Sequence, residues 1–205
     1  MKLSRIRLFI DKNTSAKERV KIINSAVEDK YDTLVFSLDD NIFKTKNWNQ
    51  KYLKLIRRYA FNIEAGGHNL PLMLPRRLYM SDKELFRMDQ GKRIKDHHFC
   101  PTNPKTIAII ANNSRKLFAD VLQVMTAPRI FHMLPDEGHE RTWCACPACR
   151  AFRFSEQFLI AVNTAADELI KLDPEAKIMY VDIDTEPEAA RIMPRKNTFI
   201  DAKKN

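Results

Sequence analysis

The sequence predicts an α/β protein in which strands and helices alternate around a parallel sheet. Three observations predict it. First, short apolar runs at 4–10, 31–38, 61–68, 128–135 and 176–184 are separated by stretches whose apolar residues fall at helical spacing. Alternation of this kind means βαβ units. Second, polar residues gather where those runs end: Asp39 and Asp40, then Gly66, Gly67 and His68, then Asp136 and Glu137, and last Asp182 and Asp184. Parallel sheets place their chemistry at the carboxyl ends of strands, so this is the pattern of a barrel enzyme rather than a scaffold. Third, 205 residues with 44% apolar and 30% charged side chains suit one ordinary globular domain.

Taken in order, "SRIRLFI" reads as a buried strand, and "TSAKERVKIINSAVEDK" as a helix opening at Thr14 or Ser15. "YDTLVFSL" is β-branched and aromatic, a second strand, with a helix at 49–60 behind it. "FNIEAGGH" is the third. The polar stretch from Asn69 to Lys105, holding only a short helical piece at "SDKELFRM", is too long for an idle connection. Residues 103–127 read as a helix, although "TIAII" alone would pass for a strand. "PRIFHMLP" is the fourth strand. The clearest amphipathic helix is 155–174, with Ser155 as N-cap and Pro174 beyond its end, and "AKIMYVDID" is the fifth strand.

The net charge of +9 raises the question of an acidic partner. The basic residues are mixed with acids along helices, as on a solvated face, and no basic stripe interleaves with aromatics, which disfavours nucleic acid. The unbalanced cluster, 191–205, reads as a basic C-terminal tail beyond a domain at 1–190. No run reaches the ~18 apolar residues of a membrane span. Arg5 and Arg7 interrupt the first apolar run and Asp11 ends it, so it does not read as a signal peptide. The chain as given is therefore expected in the cytoplasm, or exported if a native leader is missing from it.

The four cysteines are Cys100, Cys144, Cys146 and Cys149. Zinc takes four thiolate or imidazole ligands at tetrahedral corners, and Cys146-Pro-Ala-Cys149 has a knuckle spacing, with Cys144 in reach of the same ion. Cys100 follows the third strand and the triplet the fourth. Neighbouring parallel strands bring those loops together, so a closed, structural zinc staple is expected. Disulfides or buried free thiols remain alternatives, as do His98 or His139 in place of one cysteine.

Several stretches, in this order, carry a family resemblance: "NIEAGGHNL", "ELFRMDQGKR", "HHFCPTNPKTIAIIA", "PRIFHMLPDEG", "CACPACRA" and "SEQFLIAVNTAADEL". They resemble a glycoside-hydrolase-like family, domain of unknown function 4838, which looks related to the barrels of family 20 β-hexosaminidases and family 67 α-glucuronidases. The match runs from about Glu64 to Tyr180. It implies a TIM-type (β/α) barrel and a carbohydrate ligand. A full barrel takes ~250 residues and eight strands, whereas about five are visible here. The barrel is therefore incomplete: a fragment, or an open form completed by a partner, a second copy or a missing half.

In the hexosaminidases an adjacent Asp–Glu pair follows the fourth strand, the Glu as general acid and the Asp orienting the substrate's acetamido group. The resemblance carries these roles to Glu137 and Asp136. Adjacent residues of a strand point to opposite faces, so the two cannot act as equivalent carboxylates across one bond. A scheme in which the substrate's own amide is the nucleophile removes that difficulty. His68 matches a histidine that lies near the sugar. Asp40, Trp143 and Tyr180 are further candidate sugar contacts, with capping and packing as their plainer readings. The leading expectation is a glycoside-hydrolase-like protein. The alternatives are a non-catalytic zinc-stapled carbohydrate- or protein-binding domain, and a zinc-knuckle nucleic-acid binder suggested by the charge.

Overall fold

The computed structural model describes residues 7–11, 13–43, 46–96, 98–135, 143–181 and 191–200. Arg7–Ile10 forms β1, followed by helix α1 (Ala16–Glu28), capped by the Ser15 hydroxyl, which accepts from the Glu18 N–H. Strand β2 (Thr33–Phe36) leads through a 3₁₀ turn to α2 (Lys46–Arg58), then β3 (Asn62–Gly67) and the single-turn α3 (Leu70–Met73). The long polar stretch holds two 3₁₀ turns and a two-stranded hairpin, β4 (Met88–Asp89) with β5 (Lys92–Arg93). Helix α4 (Pro104–Leu122) has Pro104 in its first turn and Asn103 as N-cap. Strand β6 (Ile130–Met133), helix α5 (Phe154–Leu172), β7 (Lys177–Tyr180) and β8 (Thr198–Ile200) complete the chain order. Helix α5 starts one residue before Ser155. Its N-cap is Arg153, whose N–H donates to the Glu156 carboxylate at 2.8 Å.

Six strands form one sheet in the order β1-β2-β3-β6-β7-β8, every pair parallel. Crossovers between parallel strands are right-handed. When strands also follow one another in chain order, each crossover lands on the same face. The burial pattern agrees. Leu34, Phe36, Ile63, Ala65, Phe131, Met133, Ile178 and Tyr180 join one core with Ile23 and Ala26 of α1, Ile110 and Phe118 of α4, and Phe158 and Val162 of α5. The alternate residues, Arg7, Phe9, Val35, Glu64, His132 and Met179, fall on the opposite face, which in a closed barrel is the interior. Among the described residues the sheet stays open, and Phe9 on that face is 50% exposed. This is an incomplete barrel-like α/β fold.

The sixth strand lies inside the segment expected to be a tail. Thr198-Phe199-Ile200 is a β-branched and aromatic triplet hidden by charged neighbours, and it pairs with Ile178–Tyr180. The segment before it is tied to α5: Arg195 makes a two-pronged pair with Asp167 at 2.8 Å per arm, and Asn197 Nδ2 donates to the Ala166 carbonyl. Among the described residues no helix is long and apolar enough to cross a membrane.

Candidate functional site

The carboxyl ends of β3 and β6 meet closely because of Gly66. A Cβ there would lie 2.1 Å from the His132 carbonyl oxygen, and the residue's φ of +148° disfavours any side chain. Three hydrogen bonds then fix the end of β6. The Leu134 N–H donates to the Gly67 carbonyl at 3.0 Å, Asn69 Nδ2 donates to the His132 carbonyl at 2.7 Å, and exposed His68 donates from Nδ1 to the Pro135 carbonyl at 2.5 Å. Asp136 and Glu137 follow Pro135 in the chain and lie outside the described residues, as do His97, His139, Asp182 and Asp184.

One layer down, on the inner face, Glu64 accepts from His132 Nε2 at 2.6 Å and from Arg7 Nε at 2.7 Å. Glu64 and His132 are fully buried. Burial alone would raise the Glu64 pKa, but His132 and then Arg7 outweigh it and hold the carboxyl below its ordinary range. Nothing in the sequence marked this pair, since each residue reads singly as part of an apolar strand.

The other expected sugar contacts are placed in the fold itself. Asp40 is buried and receives both arms of Arg19, at 3.0 and 2.8 Å, together with the Ile42 N–H. Its carboxylate joins the β2 turn to α1. Trp143 is buried among His98, Phe99 and Phe158, with ring centroids 4.3, 5.9 and 6.0 Å away. Tyr180 belongs to the helix-side core at the end of β7. Both rings are buried.

The four cysteines do converge. Their sulfurs all lie within 4.8 Å of one another, and none of the four residues is more than 5% exposed. Cys100 Sγ stands 3.9 Å from Cys146 Sγ and 3.8 Å from Cys149 Sγ, and all four are free thiols. A disulfide needs ~2.05 Å. Sulfurs at tetrahedral corners about 2.3 Å from a cation stand ~3.8 Å apart, so the spacing fits a metal centre. Cys144 and then Cys149 donate to Cys100 and push its thiol down, whereas donation to Cys100 pushes Cys144 up to about 11 and Cys149 up as well.

Surrounding donors suit thiolate charge. The Met88 N–H lies 3.3 Å and the Arg93 guanidinium 3.8 Å from Cys144 Sγ, with the Thr102 hydroxyl 3.2 Å from Cys149 Sγ. The knuckle is held from below by buried Gln157 of α5. Its Oε1 accepts from the Cys144 N–H at 3.0 Å, and its Nε2 donates to the Cys144, Cys149 and Phe152 carbonyls at 3.1, 3.4 and 3.4 Å. Gln157 has the right helical position but no sequence signal for this role. His98 packs on Trp143 outside the sulfur cluster. A groove of about 500 Å³ opens beside the centre, lined by Asp82, Glu84, Arg93 and Lys105 and by two of the cysteines, Cys100 and Cys146.

No protein-family profile matches the sequence, and neither does any curated protein. Solved structures match the fold, which is glycoside-hydrolase-like. A family 20 catalytic module of the pneumococcal exo-β-D-N-acetylglucosaminidase StrH superposes with a TM-score of 0.63 at 12% identity, covering 95% of this chain and 58% of that one. The family 20 exo-β-N-acetylglucosaminidase of Vibrio harveyi gives 0.52 at 16% identity, over 95% and 37%. The family 36 α-galactosidase AgaA of Geobacillus stearothermophilus gives 0.51 at 13%, over 86% and 27%. The chain thus spans less than two thirds of the length of the structures it matches.

Proposed function

We propose that this chain is a carbohydrate-active, glycoside-hydrolase-like protein of the kind grouped as domain of unknown function 4838, cleaving glycosidic bonds with Glu137 as general acid. The observation that carries this reading is the bond from His68 to the Pro135 carbonyl. It joins the histidine expected near the sugar to the residue directly before Asp136 and Glu137. The family 20 folds among the matched structures support it. In this reading Glu137 protonates the leaving oxygen, the substrate's acetamido oxygen attacks the anomeric carbon, Asp136 orients that amide and His68 contacts the sugar. Arg7, Glu64 and His132 hold the floor beneath.

The test is release of the chromophore from aryl β-N-acetylglucosaminides. Glu137→Gln is expected to lower kcat at least ~100-fold with little change in Tm. Absence of turnover by the wild-type chain across aryl glycosides would sink the reading. It would favour the second one, a non-catalytic zinc-stapled carbohydrate- or protein-binding domain.

Zinc is our assignment for the four-cysteine centre. Thiolate-only ligation leaves no open position, so the ion would be structural, and Cys100, Cys144, Cys146 and Cys149 would hold it. Elemental analysis is expected to give about one zinc per chain, with thiols titrating only after chelation. Four freely titrating thiols and no metal would reject it.

A further inference from the structure

The four-cysteine centre is sealed on most sides and open on one. Cys149 is fully buried beside Thr102, and Cys144 receives the Met88 N–H and Arg93. Cys100 and Cys146 form part of the groove wall. These two come from different loops, 46 positions apart, and their sulfurs are 3.9 Å from each other. The groove's charges are matched in pairs, Arg93 with Glu84 at 2.5 Å and Lys105 with Asp82 at 3.4 Å, so a small neutral molecule meets no electrostatic barrier.

We propose that Cys100 and Cys146 are a peroxide-oxidisable pair whose disulfide releases the metal. This rests on the zinc assignment above. One thiolate attacks a peroxide oxygen, the O–O bond breaks, and a sulfenic acid and hydroxide form. The second thiolate attacks the sulfenic sulfur, the S–S bond forms, and a second hydroxide leaves. Two electrons pass from the sulfurs to peroxide, and two solvent protons turn the hydroxides into water. Closing the gap from 3.9 Å to a bonded ~2.05 Å is a small displacement. With two of four thiolates withdrawn, Cys144 and Cys149 alone cannot close a tetrahedral site. The Cys100–Cys146 bond would still join the two loops.

The experiment treats the full zinc-loaded chain with hydrogen peroxide, follows released zinc with a colorimetric chelator, and maps disulfides by peptide mass. The expected result is one zinc released per disulfide formed, with Cys100 and Cys146 as the linked pair. Ala148→Phe adds a ring at an exposed position on the groove wall and replaces none of the four ligands. It is expected to leave zinc content unchanged and slow release about tenfold, since thiol oxidation follows access. Zinc retained under peroxide, a Cys146–Cys149 linkage, or release from Ala148→Phe at the wild-type rate would each overturn the proposal and leave the zinc assignment standing. Absence of zinc before oxidation would remove both.

Discussion

Glu64 shows what a single side chain contributes here. Its carboxylate is buried, yet it stays charged because His132 and Arg7 both donate to one oxygen. A carboxyl whose folded pKa lies below its unfolded value stabilises the fold fully above the unfolded pKa of about 4.3. That stabilisation is lost as pH falls through the folded pKa. Wild-type Tm should therefore fall steeply below about pH 4. Glu64→Gln should flatten this acid slope. At neutral pH it should lower Tm by about 10 °C, because breaking a buried pair costs about 3–5 kcal/mol. Differential scanning calorimetry from pH 2 to 7 measures both, and an unchanged acid slope in the variant would contradict the assignment. Sequence reading missed this pair because pairing across strands 68 positions apart carries no local signal. It found the cysteines because their spacing is itself the signal. Asp40 is ambiguous for the converse reason: an acid at a strand end looks the same whether it faces a ligand or an arginine on the preceding helix.

At the scale of elements, α5 does two jobs. Its apolar face fills the core through Phe158, Val162 and Leu169, and its first turns carry the polar contacts that shape the cysteine loop. Gln157→Ala should weaken metal binding about 10–100-fold, as loss of groups that orient metal ligands does, while the helical signal in circular dichroism stays unchanged. Competition titration with a zinc chelator would read the affinity, and wild-type affinity in the variant would mean that the loop is shaped by the metal alone. The helix itself was plain in the sequence, apart from its cap. Strand β8 was not, because three residues are too few to establish a period, and the lysines and arginines around them read as solvated chain. Its place is set by Arg195, Asn197 and the edge of β7.

At the scale of the whole molecule, chain-order pairing of parallel strands explains why class and layering were legible. Each βα unit announces itself locally, and handed crossovers leave one way to assemble them. Sheet width was less legible, since nothing local says whether a sixth unit joins or the ring closes. The openness of the sheet also gives the charge a purpose. Among the described residues β1 and β8 have a neighbour on one side only, so each offers a row of unmatched backbone groups to any passing strand. Arg7 sits on one of these edges, and Arg195 and Lys196 lead into the other. Glu64 and Asp167 neutralise Arg7 and Arg195, so it is the net charge of the whole molecule that opposes stacking of one sheet upon the next. The surplus of +9 then works as a colloidal guard, strong in dilute buffer and weakened once salt brings the screening length to about 8 Å.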